Sequence, residues 1–370
     1  MQSLKVGLVS SSQLSFPGDK KSVYEASAQK LRALSGQLGF ELYVHPGTVI
    51  TPDDGYAAVK ALEGEGVDFI LLQCTSFSAG ALAPIFARAR AALGLWAIPE
   101  HADHGVLPFN SFCTINMYSG IIGHYLKDYN IPIKWFFGDV EDPLFRGRLA
   151  VTVRALRAIK NLKASKVALI GGIAPGFDDL YDDERTLIRR FDGIRINRLH
   201  EYSEVRDRAV AYSAAQVSAE MERIAAEAGG VLNRRADETL ETNARFSLAY
   251  DDFIKEYGYD AIAVSCWPKF QDEFQYSVCA VVGGLNDKGI PTACEGDLTS
   301  AISMLLLKYL SDDVGMLMEW APSTRRTTRC SCGTAAPPPA GSAGRTATGS
   351  ASTTTAWRTR RARKSPTAAA

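Results

Sequence analysis

Two acidic residues near the end of the chain, Glu295 and Glu319, are spaced so that they could share one site. Each follows a short apolar run typical of a buried strand, and Asp297 between them precedes apolar residues at helical spacing. A strand, a helix and a second strand joined by short connections form a parallel pair of strands. Both carboxylates would then lie at the carboxyl ends of neighbouring strands. Open α/β sheets bind their ligands at this edge. Such a pair suits a divalent cation or proton transfer on a small substrate; alternatively these acids are solvated loop residues or helix caps.

The residues around these acids resemble the fucose/arabinose isomerase family, whose members are manganese-dependent aldose–ketose isomerases. The resemblance is carried by the sequences SCWPKF at 265–270, GLNDKGIP at 284–291 and CEGD at 294–297. A less specific resemblance comes from PFNSFC at 108–113 and from the alternation of strand-like and helix-like runs over residues 1–320. The resemblance implies that Glu295 and Glu319 bind Mn²⁺ or another divalent cation and act as the catalytic residues. The implied reaction is an isomerisation of a pentose or (deoxy)hexose through an enediol.

The resemblance also implies a third metal ligand, a His in a His-Cys-Gly sequence shortly after the second acid, and this chain has no His after His200. The composition changes at the same place. Residues 321–370 contain no Val, Ile, Leu, Met, Phe, Tyr, Asp or Glu, but eight Arg and one Lys. Codons for residues 322–336 also permit, in a shifted frame, an acidic turn, a strand and His-Cys-Gly. We therefore hypothesise that a frameshift near residue 321 replaced the family's carboxyl-terminal domain with a disordered, out-of-frame tail.

Candidate substrate-binding residues follow two other predicted strands. Trp267, Lys269 and Gln271 come directly after the strand at 261–266, and an aromatic face with long polar side chains suits a sugar. Trp267 could equally cap the edge of the core. His101, in the sequence His-Ala-Asp-His after the strand at 94–98, could face a cleft and contact substrate, although Pro99 and Gly105 indicate a loop and not a metal site.

The alternation of strand-like and helix-like runs predicts an α/β fold with parallel sheets covered on both faces. We predict two doubly wound domains, an N-terminal one at 1–142 and a second at 143–320 that carries the carboxylates, followed by the tail at 321–370. The predicted strands are 4–10, 40–45, 68–74, 94–98, 132–137, 166–171, 194–198, 261–266, 290–294 and 314–318.

Composition narrows the class of protein and its partners. The apolar content of 46% is typical of a globular protein, and no apolar run reaches membrane-spanning length. The amino terminus runs directly into a strand without a signal peptide, and the seven Cys show no disulfide framework, so a cytoplasmic protein with reduced thiols is expected. The expected partner is a small sugar, with no nucleic acid or membrane, and a homo-oligomer is expected if the carboxyl-terminal domain were intact.

Three alternative interpretations remain open. Two α/β lobes also suit a sugar-binding module without catalysis. Cys74 and Cys266 end one strand in each half, as in the aspartate/glutamate racemase family, so a cysteine-dependent racemase is possible, although Trp-Pro-Lys follows Cys266 where that family has other residues. The glycines at 171, 172 and 176 could cradle a phosphate, but a tight strand-to-helix turn is the preferred interpretation.

Overall fold

The computed structural model describes residues 1–101, 104–227, 236–313, 315, 317, 319–321 and 331–333. The chain divides into two compact units, residues 1–161 and 162–370. This boundary is later than the predicted one at 142, because the predicted first helix of the second domain belongs to the first unit. Its buried residues Phe145, Leu149 and Val153 complete the first unit's core.

The first unit is a five-stranded parallel sheet in the order β2-β1-β3-β4-β5. Side chains alternate between two cores, with Leu71 packing on one face of β3 and Leu72 on the other. Helices therefore cover both faces, as predicted. The elements are β1 (Leu4–Ser11), α1 (Lys20–Leu38), β2 (Phe40–Val49), α2 (Pro52–Gly64), β3 (Phe69–Cys74), α3 (Leu82–Ala87), β4 (Ala92–Ala97), α4 (Ser111–Gly120), β5 (Ile133–Phe137) and α5 (Pro143–Ala164).

The second unit repeats the same winding in a four-stranded parallel sheet of order β7-β6-β8-β9. Helices α7, α9 and α11 share one core with Ile170 and Ile262, whereas α12 packs against β6, β8 and β9. The elements are β6 (Lys166–Ile170), α6 (Glu184–Phe191), β7 (Arg195–His200), α7 (Tyr202–Ala211), α8 (Ala214–Glu227), α9 (Ala236–Tyr257), β8 (Ala261–Val264), α10 (Lys269–Phe274), α11 (Cys279–Asp287), β9 (Thr292–Ala293) and α12 (Leu298–Ser311).

The α/β fold with two doubly wound parallel sheets is thus confirmed, together with nine of the predicted strands. The strand predicted at 314–318 lies largely outside the described residues, since 314, 316 and 318 are not among them. After it, β10 (Glu319–Ala321) pairs antiparallel with β11 (Ser331–Gly333), and the described residues show no pairing of β10 with the parallel sheet. Apolar alternation indicates an extended backbone but does not determine which strand it pairs with. Apart from β10 and β11, the predicted disordered tail at 321–370 lies outside the described residues.

One side-chain network ties the helices of the second unit together. The buried carboxylate of Glu220 on α8 accepts hydrogen bonds from Ser247 Oγ on α9 at 2.6 Å and from Arg223 Nε at 2.7 Å. Burial raises the pKa of Glu220, but the hydrogen bonds from Arg223 and Ser247 outweigh it, so the pKa lies below its ordinary value of 4.5.

No helix among the described residues is long and apolar enough to cross a membrane.

This network leads to a prediction about stability. Replacing Glu220 with Gln should lower the free energy of unfolding by about 1.5–3 kcal/mol at pH 7, because the amide loses the charged hydrogen bonds. The folded-state pKa is depressed, so this stabilisation is present above pH 4.5 and lost as the pH falls through the folded-state value. Urea unfolding at pH 7 and pH 4 checks this. The exposed Glu222 on the same helix provides the control, Glu222→Gln. An equal loss for both variants, or a loss for Glu220→Gln that is independent of pH, would contradict the account.

Candidate active site at the carboxyl edge of the second sheet

The strand order of the second sheet reverses direction between β6 and β8. After β6 the chain passes to β7 on one side of the sheet, and after β8 it passes to β9 on the other side. Doubly wound sheets bind ligands in the crevice at the carboxyl ends of two such strands. The loops that follow β6 and β8 approach closely here. Ser265 N donates to Ile170 O at 3.0 Å, and a Cβ placed on Gly171 would lie 3.2 Å from the Ser265 Cβ. The carboxyl edge of the second sheet is therefore the expected location of a ligand-binding site.

The glycines after β6 form a turn and do not open a helix. Gly171 and Gly172 have φ angles of +78° and +81°, and the next α-helix begins only at Glu184. A phosphate site of the kind considered from the sequence needs glycines at a helix N-terminus. The structure thus supports the tight turn and not the phosphate loop.

Glu295 lies where the sequence places it, at the end of β9, and its backbone is held in an unusual conformation. Its φ of +62° falls in the left-handed region that non-glycine residues rarely adopt. Two hydrogen bonds hold this turn: Ala174 N donates to Glu295 O at 2.9 Å, and Gly296 N donates to Val264 O at 3.0 Å. Such conformations persist where the surroundings enforce them, and they cluster at functional sites.

Gly296 explains why the loops can meet at this point. Its φ is +76°, and a Cβ at this position would lie 2.3 Å from Gly172 O and 2.8 Å from Ile173 Cα. Any other residue would push the two loops apart. The Glu295 side chain is half-buried. The turns after β6, β8 and β9 thus fix the backbone of Glu295 at the crevice.

Asp297 is the helix cap that its position predicts. Its Oδ1 accepts a hydrogen bond from Ser300 N at 2.7 Å at the start of α12. Two acids separated by one residue therefore have different environments. Asp297 caps a helix, whereas Glu295 belongs to the crevice.

The metal site implied by the resemblance is only partly within the described residues. The side chain of Glu319 lies outside them, so its distance to Glu295 stays a prediction. Among the described residues, no group of three or more His, Cys, Asp or Glu side chains could hold a metal ion. The described donors therefore do not by themselves fit Mn²⁺.

The predicted substrate-binding residues Trp267, Lys269 and Gln271 lie together on the loop and helix after β8. Trp267 is 40% exposed, as a residue available for stacking on a ligand should be. The Lys269 ammonium lies 5.6 Å from the centre of the Tyr202 ring. The Gln271 side-chain amide donates to Cys266 O at 3.4 Å.

Polar atoms without a described partner lie beside these residues, and the sequence did not reveal all of them. Gln271 Oε1 and the hydroxyls of Tyr202 and Tyr276 are buried without a hydrogen-bond partner among the described residues. Burial raises the pKa of Tyr202, and the neighbouring Glu273 carboxylate raises it further. Buried polar atoms rarely stay unpaired, so these three indicate a place for water or ligand hydroxyls. The only sequence signal for Tyr202 is its position just after β7.

Three thiols surround Glu295. Cys266 is half-buried after β8, Cys294 is buried after β9, and Cys279 opens α11. Hydrogen bonds from the Cys294 thiol and the Glu295 backbone N–H lower the pKa of Cys266, although burial opposes them. The same bond to Cys266 raises the pKa of Cys294, with burial and the Glu295 charge acting in the same direction.

The two remaining candidates belong to the first unit. His101 is exposed in a loop after β4, and its ring lies edge-to-face with the Phe109 ring, with the ring centres 5.1 Å apart. Asp103 of the same sequence lies outside the described residues. Cys74 is fully buried, and burial raises its pKa to about 12. Such a thiol does not suit the acid/base role of a racemase.

The chain is similar to several curated enzymes, while no family model matches it. It is 26% identical over 272 residues to the sulfoquinovose isomerase of Priestia aryabhattai, covering 71% of this chain and 59% of that enzyme. It is 28% identical over 217 residues to that of Alkalicoccus urumqiensis, covering 59% of this chain and 47% of the relative. The chain thus spans less than two thirds of the length of these relatives.

Similar solved structures include a solute-binding protein of an ABC transporter from Agrobacterium vitis, bound with α-D-tagatopyranose. The identity is 10%, the alignment covers 84% of this chain and 90% of that one, and the TM-score is 0.22. A superposition this loose carries no argument about fold or ligand.

Proposed function

We propose that this chain is an aldose–ketose isomerase, or the core of one, acting at the carboxyl edge of the second sheet. The observation that carries the proposal is the left-handed turn at Glu295, which hydrogen bonds hold between the loops after β6 and β8 at the switch point. The similarity to sulfoquinovose isomerases supports the same reaction class. The resemblance to fucose/arabinose isomerases around 265–297 supports it independently of the overall identity.

The proposed substrate is a pentose or a (deoxy)hexose in its open-chain form. Sulfoquinovose is the first candidate because of the relatives. Trp267 would stack on the sugar, and Lys269 and Gln271 would bind its hydroxyls or an anionic substituent. The unpaired Gln271 Oε1 and the Tyr202 and Tyr276 hydroxyls would bind hydroxyl groups that enter the crevice.

Glu295 is proposed to transfer the proton. Its carboxylate takes the proton from C2, the C2–H electron pair forms the C1–C2 double bond, and O1 gains a proton to give the enediol. A proton then adds at C1 while O2 loses its proton, which leaves the ketose with the same atoms as the aldose. Glu319 or a water would act as the second proton-transfer group. The hydrogen-bonded turn fixes the backbone of Glu295 before the sugar binds, which lowers the cost of orienting its side chain during the reaction.

We also propose that the isomerase requires Mn²⁺ or a similar ion. When bound, such an ion would polarise the sugar carbonyl. Of the described side chains only Glu295 is a proposed ligand, and the proposal depends on Glu319 and on a further donor. Metal analysis of the purified protein with and without chelator tests it separately from binding of the sugar.

A sugar-binding test checks the proposed pocket in the 370-residue chain. Gln271→Met should weaken binding of the best sugar about tenfold, because one to two hydrogen bonds worth about 1.4 kcal/mol are lost in a buried place. Calorimetry with aldopentoses, 6-deoxyhexoses and sulfoquinovose measures this. The control is Gln29→Met, the same change at an exposed position on α1. Absence of binding to every sugar, or equal weakening by both variants, would remove this pocket from consideration.

A sugar-binding module without catalysis is the second candidate. It would need only the sugar contacts proposed for Trp267, Lys269 and Gln271, of which Trp267 is 40% exposed and Gln271 Oε1 is buried without a described partner. The two functions differ in a simple way. The module binds sugar without a divalent ion and converts none, whereas the isomerase changes aldose into ketose.

A further inference from the structure

Helix α5 carries apolar side chains on two of its faces. One face, which includes Phe145 and Leu149, packs into a core of the first unit. Another face exposes Leu144, Val151 and Ile159, by 54%, 63% and 46%. These three residues recur at intervals of seven and eight, so with 3.6 residues per turn they form one stripe along the helix. A contiguous apolar stripe of this kind, unlike a single exposed Leu, is typical of a contact with another molecule.

The edge of the first sheet extends this apolar surface. Trp135 lies on β5, the last strand of the sheet, and is 45% exposed. Arg148 of α5 joins the two elements, because its Nε donates to Trp135 O at 2.9 Å and its guanidinium carbon lies 4.2 Å from the centre of the indole ring. Arg148 therefore lies along the protein surface beside the stripe.

The stripe is symmetric about its middle residue, Val151. Leu144 lies seven residues before it and Ile159 eight residues after it, while Arg148 and Ala155 lie three before and four after. When two copies of α5 pair antiparallel about a two-fold axis near Val151, Leu144 of one copy meets Ile159 of the other. The long side chain of Arg148 then meets the small side chain of Ala155. The stripe is therefore complementary to itself, as a two-fold interface requires.

The charges at the two ends of α5 also favour an antiparallel pair. Three acids stand just before the helix, Asp139, Glu141 and Asp142. Lys30 pairs with two of them, and the Glu141 side chain stays 72% exposed. The last turn carries Lys163, which is 46% exposed and reaches Asp192 only at 3.7 Å. Antiparallel pairing places Glu141 of one copy beside Lys163 of the other, whereas an anionic membrane would be repelled by the acids.

We propose that the stripe on α5 is the interface of a two-fold dimer of this chain, with the two helices antiparallel and crossing near Val151. The contact from Leu144 to Ile159 is about 22 Å long. Because the interface is small, we expect a dissociation constant of about 1–50 µM. This inference goes beyond the proposed reaction and does not depend on it.

Site-specific cross-linking tests the geometry in the Cys113→Ser background. Val151→Cys should be joined to itself by a bismaleimide that spans about 8 Å, a usual distance between the axes of packed helices. Leu144→Cys alone should not be joined, because the two copies of residue 144 would lie about 22 Å apart. A mixture of Leu144→Cys and Ile159→Cys should be joined, and Tyr56→Cys, exposed on α2, is the negative control. The joined positions are identified by the tryptic peptides 135–146, 149–154 and 158–160.

Sedimentation of the wild-type chain between about 1 and 100 µM measures the dimer itself. Val151→Arg should raise the dissociation constant at least ~10-fold, because two like charges would meet at the axis. Val210→Arg is the matched control, since it makes the same change at a 56% exposed position on α7.

The proposal is overturned if the wild-type chain stays monomeric at about 100 µM, as it would if a different molecule covered this face. It is also overturned if Leu144→Cys joins to itself as readily as Val151→Cys, or if Val210→Arg weakens the dimer as much as Val151→Arg. Sedimentation of the wild type decides the question even where a variant fails to fold.

Discussion

Restoring the reading frame after residue 320 should give a protein that interconverts an aldose and its ketose with Mn²⁺, whereas the 370-residue chain should be at least ~100-fold slower. The frame hypothesis returns a His-Cys-Gly sequence after Glu319, and the resemblance gives that His as a metal ligand. It also returns a domain that would exclude water from the enediol.

The measurement is a coupled assay of both proteins on aldopentoses, 6-deoxyhexoses and sulfoquinovose, with Mn²⁺ or with chelator. The restored protein should lose its activity with chelator and regain it with the ion. Equal activity in the two proteins would contradict the role of the lost segment. Metal-independent sugar binding without conversion in a folded restored protein would favour the binding module.

Replacing Glu295 with Gln in the restored protein should lower kcat/KM by about 10³–10⁴-fold, because an amide cannot accept the C2 proton. The substitution keeps the size of the side chain. The turn that holds residue 295 should also persist, since the substitution leaves the backbone hydrogen bonds of Glu295 O and Gly296 N in place. Circular dichroism and thermal unfolding should therefore be unchanged within ~1 kcal/mol.

Asp297→Asn is the matched control, because it also removes one carboxylate, two residues away. Asn caps helices about as well as Asp, so α12 and the activity should be preserved. A similar loss in both variants would show that local negative charge, and not Glu295 itself, matters. No loss at Glu295→Gln would remove this residue from the mechanism.

The sequence predicted where the strands of the second sheet and the start of α12 lie, because hydrophobic periodicity marks strands and capping residues mark the start of a helix. The runs at 166–171, 194–198 and 261–266 correspond to β6, β7 and β8, and Asp297 caps α12 as expected. The position of Glu295 at the end of β9 followed from the same reasoning. Strand order was not predicted, because it depends on which backbone edges meet, and the switch point between β6 and β8 emerged only from the structure.

Other features had no signal in sequence spacing. The left-handed backbone of Glu295 depends on the close approach of Gly172 and Gly296, which lie far apart in the chain. The buried hydroxyls of Tyr202 and Tyr276, which have no hydrogen-bond partner among the described residues, result from tertiary packing in the second core. The antiparallel pairing of β10 with β11 also had no sequence signal, because apolar alternation does not specify the partner strand.

The central claim is that Glu295 moves a proton between C2 and C1 of a sugar, and the most direct test is isomerisation in D₂O. Mass spectrometry and NMR of the ketose formed by the restored protein should find solvent deuterium at C1, because the proton removed from C2 exchanges on the carboxylate. Glu295→Gln should abolish both the turnover and the label, while Asp297→Asn should retain them. Turnover without deuterium at C1, or full labelling by Glu295→Gln, would contradict the account.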